Sequence, residues 1–184
     1  MSVTLVKEDG TGMADANAYA DVADGNDYHN GHLYATAWTG ATDDQKAAAL
    51  VMATRLIDTE YQFNGLRSVD SQALQWPRVN CLDPDKAPIP ILTSLLLVDP
   101  FVPFSIVPKQ VVQATCEMAR ELLVADRTAA PVGEGLKYYN QSGTQTGYDK
   151  TDRRPVISPV AQAMLIKFGS LVSAKSGAVR LVRV

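Results

Sequence analysis

The sequence predicts a mainly α-helical domain, and three observations carry that reading. Apolar residues recur at three- and four-residue spacing in separate stretches, the signature of a helix with one buried face. Two stretches open on start signals, the capping box Thr42-Asp43-Asp44-Gln45 and the pair Ser158-Pro159. Ten prolines and twelve glycines fall mostly between these stretches, where they act as joints. The expected architecture is a compact bundle of about four helices with long loops, a short N-terminal strand, a β-hairpin and an extended C-terminal arm. Residues 1–174 are assigned to the helical domain, with a loop insertion at 91–107 and a hairpin-like loop at 133–156, and residues 175–184 to the arm.

Each element has a local reason. Residues 3–6 alternate as a short strand, ended by the turn Asp9-Gly10-Thr11-Gly12. A first helix is expected over residues 17–30, carrying Tyr19 and Val22, capped by Asp15 or Asn17 and weakened by an interior Gly25. In the second, Thr42 accepts the amide of Gln45 while the Gln45 side chain reaches back. Leu50, Ala53, Leu56 and Ile57 then form the apolar stripe, with Gly65 closing the region. The third opens at Pro108, whose missing amide proton costs nothing in a first turn, and repeats through Val111, Val112, Thr115, Met118, Ala119 and Leu122. The fourth follows Ser158-Pro159 and runs through Ala161, Leu165, Phe168 and Leu171. Leu136, Tyr138 and Tyr148 anchor the hairpin-like loop. The predicted core is Leu50, Ala53, Ile57, Val111, Thr115, Met118, Leu122, Leu165 and Phe168.

Composition narrows the function. A length of 184 residues fits one domain with a real core. Seventeen Lys and Arg against twenty Asp and Glu leave a net charge of −3, so the basic surplus of a phosphate-gripping protein is missing. Cys81 and Cys116 are too few for a disulfide framework and read as reduced thiols in a cytoplasm. The first nine residues lack the basic and apolar regions of a signal peptide. The apolar stretch 89–107 is interrupted by Asp99, Pro100 and Pro103, which argues against a membrane span.

The search for chemistry returns little. His29 and His32, with Asp24 and Asp27 nearby, lack a spaced third ligand set, so a solvated helix end is the expected reading and no metal is assigned. Asp9-Gly10-Thr11-Gly12 has neither the spacing nor the lysine of a phosphate loop. Asp43-Asp44 complements a helix dipole, no Gly-x-Ser-x-Gly elbow occurs, and neither cysteine has a nucleophile motif. No catalytic residue and no cofactor are expected. Trp76, Pro77 and Arg78 read as a packing anchor: a large apolar ring, a stiff exit and a cation reaching a carboxylate or carbonyl. The competing reading makes Trp76 and Arg78 a stacking platform for single-stranded DNA, which needs a basic groove around it. Leu95, Leu96, Leu97, Phe101 and Phe104 are too many apolar groups for a solvated loop and are assigned to contact with a neighbouring subunit. Arg180, Leu181, Val182 and Arg183 suit an arm that adds to a partner's sheet edge.

The order of short motifs along the chain resembles a tailed-bacteriophage family. They are Glu8-Asp9-Gly10-Thr11-Gly12, Ala16-Asn17-Ala18-Tyr19, Ala37-Trp38 and Tyr61-Gln62-Phe63-Asn64-Gly65, then Gln72-Ala73-Leu74-Gln75-Trp76-Pro77-Arg78. Ile106-Val107-Pro108, Arg154-Pro155-Val156 and Val179-Arg180-Leu181-Val182-Arg183 complete the series. The family is often labelled DnaT-like single-stranded-DNA-binding protein and is similar in gene context and fold to head–tail connector adaptors. The chain departs from it in the apolar insertion after Pro88-Ile89-Pro90 and in the displaced basic residue of Gly65-Leu66-Arg67. The resemblance implies a virion protein of the neck, made in the host cytoplasm. It would form a homo-oligomeric, twelvefold ring under the portal protein and meet a tail-side neck or stopper protein. DNA would pass through its channel without sequence-specific binding, and no membrane is involved. The alternative takes the label literally, as a single-stranded-DNA-binding replication accessory; a metal-dependent hydrolase using His29 and His32 is the third class.

Overall fold

A computed structural model describes residues 3–84, 101–103, 105–129, 138–141, 144–147 and 154–172. The fold is mainly α-helical, with five helices among these residues. They are α1 (Val22–Asn30), α2 (Thr36–Thr39), α3 (Asp43–Glu60), α4 (Lys109–Val124) and α5 (Pro159–Leu165). Six short strands form three two-stranded antiparallel sheets. They are β1 (Tyr61–Phe63) with β6 (Gly169–Leu171), β2 (Leu66–Arg67) with β3 (Arg78–Val79), and β4 (Tyr138–Gln141) with β5 (Thr144–Gly147).

The two longest helices form the centre. α3 packs on α4, α5 closes against α4, and α1 and α2 also pack on α4, with α1 touching α3 as well. The contact surfaces are the predicted stripes: Leu50, Ala53, Ile57, Val111, Thr115, Met118, Leu165 and Phe168 are all buried. Leu122 is half-buried at the edge of this core. Trp38, Tyr19 and Trp76 extend the core beyond the helix stripes.

Local signals set the helix starts. Thr42 and Gln45 form the reciprocal box that opens α3. Ser158 caps α5 by accepting the amide of Ala161, with Pro159 in the first turn. Pro108 occupies the cap position of α4, so the helix begins one residue later than its own position. Thr144 and Gln141 close the β4–β5 hairpin, inside the loop predicted to be hairpin-like.

Four expectations are corrected. The first helix starts at Val22, not at residue 17: its cap is Asp21, which exchanges hydrogen bonds with Asp24 in a second capping box. Asn17 is engaged elsewhere, accepting the Val6 amide at 2.9 Å and donating to the Thr4 carbonyl at 2.9 Å. Residues 3–6 therefore run beside Asn17 without forming a strand, and the bridge there joins the next residue, Lys7, to Ala18. The fourth helix stops at Leu165, because Gly169 must bring β6 against β1, where a Cβ would lie 2.5 Å from the Gln62 carbonyl oxygen. Gly25, which weakens α1 as a propensity, is required by packing: a Cβ there would meet the Trp38 ring at 2.3 Å.

Truncating the centre should separate the stripe from its margin. Ile57→Ala is expected to cost about 2–5 kcal/mol in urea denaturation, and Leu122→Ala distinctly less, since part of its surface already faces water. Equal losses at the two positions would contradict this packing.

Candidate functional site

Of the residues singled out as an anchor or a DNA platform, Trp76 and Pro77 end the loop that joins β2 to β3, and Arg78 is the first residue of β3. Trp76 is fully buried, edge-on to Phe63 and Phe168 at 5.6 and 5.8 Å between ring centroids. Its indole Nε1 finds no partner among the described residues. A ring enclosed in this way offers no face on which a base can stack. The Trp76–Pro77 peptide bond is cis, and the Pro77 carbonyl accepts from Ser68 and from the Gln72 side chain, both at 3.1 Å.

Arg78 is buried beneath this loop, and its guanidinium makes five hydrogen bonds. Nε donates to the Asn64 carbonyl at 2.7 Å, and Nη2 to the carbonyls of Gly65 at 2.7 Å and Phe63 at 3.3 Å. Nη1 donates to the Gln75 backbone and side-chain oxygens, both at 3.0 Å. Five N–H groups are all a guanidinium has, so Arg78 has none left for a phosphate. Gln72 completes the loop from inside: its amide donates to Leu74 and Pro77, and its carbonyl accepts from Val69.

A buried polar network ties the loop to the helices. The Tyr19 hydroxyl donates to Asp58 on α3 at 2.5 Å and accepts the amides of Gln75 and Trp76. The Gln75 amide also reaches the second Asp58 oxygen at 3.1 Å. Burial pushes the Asp58 carboxyl up to about 6, against the opposing pull of the Tyr19 hydroxyl, the Gln75 amide and the Arg78 charge. Burial and the neighbouring carboxylate likewise raise the Tyr19 phenol, so it stays protonated as the donor.

The glycine turn fits the same scheme. The buried Glu8 carboxylate accepts the amides of Gly10, Gly12 and Met13, each at 2.9 Å. Gly10 and Gly12 have φ of +100° and +80°, which lets successive amides converge on one carboxylate. Met13 then accepts the amide of Ala73, joining the turn to the Trp76 loop. The nest that could have held a ligand anion is thus filled by the chain's own side chain.

His29 and His32 behave differently from the solvated helix end expected of them. His29 is buried between Trp38 and Tyr28, and its Nε2 donates to the Cys116 carbonyl at 3.2 Å. Burial lowers its pKa, so the neutral ring is favoured, and Nδ1 has no partner among the described residues. His32 Nδ1 accepts the Tyr34 amide, while Nε2 lies 4.0 Å from Glu117. Asp24 pairs with Lys7 at 2.6 Å, and Asp27 is exposed. Among the described residues no three metal-ligating side chains converge.

A second ionic cluster escaped the sequence reading. Arg120 bonds Glu117 and Glu121, and Glu121 also holds Arg127 at 2.9 Å and Arg154 at 3.2 Å. Arg127 donates further to the carbonyls of Pro155 and Val156, fastening α4 to the segment that leads into α5. The i,i+3 spacing of Glu117 and Arg120 was visible in the sequence; the pairing of Glu121 with Arg154, 33 residues downstream, was not.

Of the loop assigned to subunit contact, Phe101 is half-buried and bridges to Leu82, with Val102 buried beside it. Leu95, Leu96, Leu97 and Phe104 lie outside the described residues, as do Arg180, Leu181, Val182 and Arg183.

With this geometry in hand, comparison with protein families gives a match over residues 3–184, to the family described as "Putative DnaT-like ssDNA binding protein". The chain belongs to that family. Comparison with curated proteins gave no match, and comparison with solved structures gave none.

Two measurements probe the loop. Arg78→Lys keeps the charge but offers three donors in place of five. It should lower stability by about 1–3 kcal/mol in urea denaturation, by leaving buried carbonyls unpaired. The Asp58 carboxyl is raised in the folded protein above its ordinary value of 3.8, so its stabilising contribution is complete below about pH 4 and disappears as pH rises through about 6. The stability difference between the parent and Asp58→Asn should therefore shift by on the order of 1–3 kcal/mol between pH 4 and 7, in favour of the asparagine at the higher pH. A difference independent of pH would contradict a raised Asp58.

Proposed function

We propose that this chain is a structural subunit, a head-to-tail adaptor of a tailed phage that works as one copy in a homo-oligomeric ring beneath the portal. The supporting observation is how its cations are used. Among the described residues, Arg78 and Arg127 are buried on carbonyls, and Arg120, Arg127 and Arg154 share the carboxylates of Glu117 and Glu121. Lys7 is held by Asp21 and Asp24, and Lys46 by Asp43 and Asn26 beside the Trp38 ring. Arg55, Arg67, Lys109 and Lys167 are exposed and sit on separate stretches of the chain, on α3, β2, α4 and just after α5. Apolar groups instead face outward: Leu33 is 90% exposed, and Tyr34, Leu66, Val124 and Ile166 are each more than half exposed. Such groups are suited to burial by neighbouring copies. In this reading the protein is not an enzyme, DNA passes it without sequence-specific contact, and it resides in the virion neck. The portal protein, a tail-side neck protein and neighbouring copies are its partners.

The second reading is a single-stranded-DNA-binding accessory, and the family description supports it directly. It requires a basic groove with exposed aromatic rings. Among the described residues Tyr34 is the large aromatic on the exposed side, while Trp38, Trp76, Tyr61, Phe63 and Phe168 are buried.

Fluorescence anisotropy with a labelled oligothymidine over a salt series distinguishes the two. The adaptor reading expects weak binding with a shallow salt slope, and mass spectrometry of purified phage particles should find the chain in stoichiometric amounts. Tight binding that collapses as salt rises, together with its absence from particles, would establish the accessory reading instead.

A further inference from the structure

On the outer side of α3 lies a cavity of about 430 Å³, lined by Val3, Ala48, Val51, Met52, Arg55 and Leu56. Its walls are apolar apart from Arg55, and Val3 and Met52 are more than a third exposed. We propose that this groove is the seat of the chain's own C-terminal segment, residues 178–184, in the free subunit.

Three observations support this occupant. The first is where the described chain leaves off. β6 runs antiparallel to β1, and the Val172 amide donates to the carbonyl of Glu60, the last residue of α3, at 2.8 Å. The chain thus departs beside the C-terminal end of the helix that carries the groove, little more than one turn from Leu56.

The second is reach. Ala48 lies twelve residues before Glu60, about 18 Å along a helix axis. The twelve residues 173–184 span up to about 40 Å when extended, which covers the groove with slack for the turn through Ser176 and Gly177.

The third is chemistry. Val179 and Leu181 share one face of an extended segment and match the apolar walls, while Arg180 points the other way, clear of Arg55. The inference stands apart from the function proposed above: an arm seated here in the free subunit is stored, and any partner must draw it out.

The test uses the full chain carrying Met52→Cys. Cys81 and Cys116 are buried, so the new thiol dominates labelling. Its reaction with a maleimide is expected to quicken about tenfold when Val179→Asp and Leu181→Asp are added, with helical circular dichroism unchanged. Paired with Leu181→Cys and a short bismaleimide, it should give a crosslinked monomer on a denaturing gel. Equal labelling rates, or a crosslinked dimer in place of the monomer, would overturn the proposal; a dimer would assign the groove to a second copy.

Discussion

Arg78 is a buried cation with no carboxylate among its described hydrogen-bond partners, and that constraint organises one end of the molecule. A guanidinium taken out of water must be solvated by something, and here backbone carbonyls from both sides of a loop do it. Those carbonyls belong to residues 63–65 and Gln75, so satisfying Arg78 brings the end of β1, the β1–β2 turn and the approach to β3 together. The enclosure this creates excludes water from Trp76, which packs between Phe63 and Phe168 and so joins the loop to the helical core. The Tyr19–Asp58 pair then fixes the other flank of the same loop to α3. Neither half is stable alone: an open loop would leave the cation unsolvated, and a missing cation would leave several carbonyls unpaired.

The same economy governs the other charged groups. Glu8 fills its own ring of amides, and Glu121 gathers three arginines. Features that look like ligand sites in isolation, a glycine-rich turn and a clustered set of arginines, are closed internally. Leu33 and Tyr34, by contrast, stand exposed side by side between α1 and α2.

The elements legible in the sequence share a physical property. Thr42 with Gln45, Ser158 with Ala161, and the stripes of α3 and α4 depend on residues three or four apart. Where an element depends on a distant partner, local reading erred or was silent. Asn17 suits a cap but is held by residues 4 and 6; Phe168 continues the helical spacing of α5, yet the chain has already turned toward β1. His29 stands among polar neighbours in the sequence, and only the approach of α4 buries it. α2, with four residues, is shorter than any periodicity can reveal, and its position follows from Trp38 packing on Gly25.

The sequence by itself determined the helical class, the starts of α3, α4 and α5, most of the core and the absence of a net basic charge, because each is set by neighbours within one helical turn or by composition. Tertiary structure alone decided where the charged groups point. Arg78 and Arg154 read alike in a string of letters, but one is enclosed by carbonyls and the other is an exposed partner of Glu121. That difference turns on contacts between residues 13 to 33 positions apart. Burial and hydrogen-bond partners arise from chain segments meeting in space, and no local pattern encodes which segments meet.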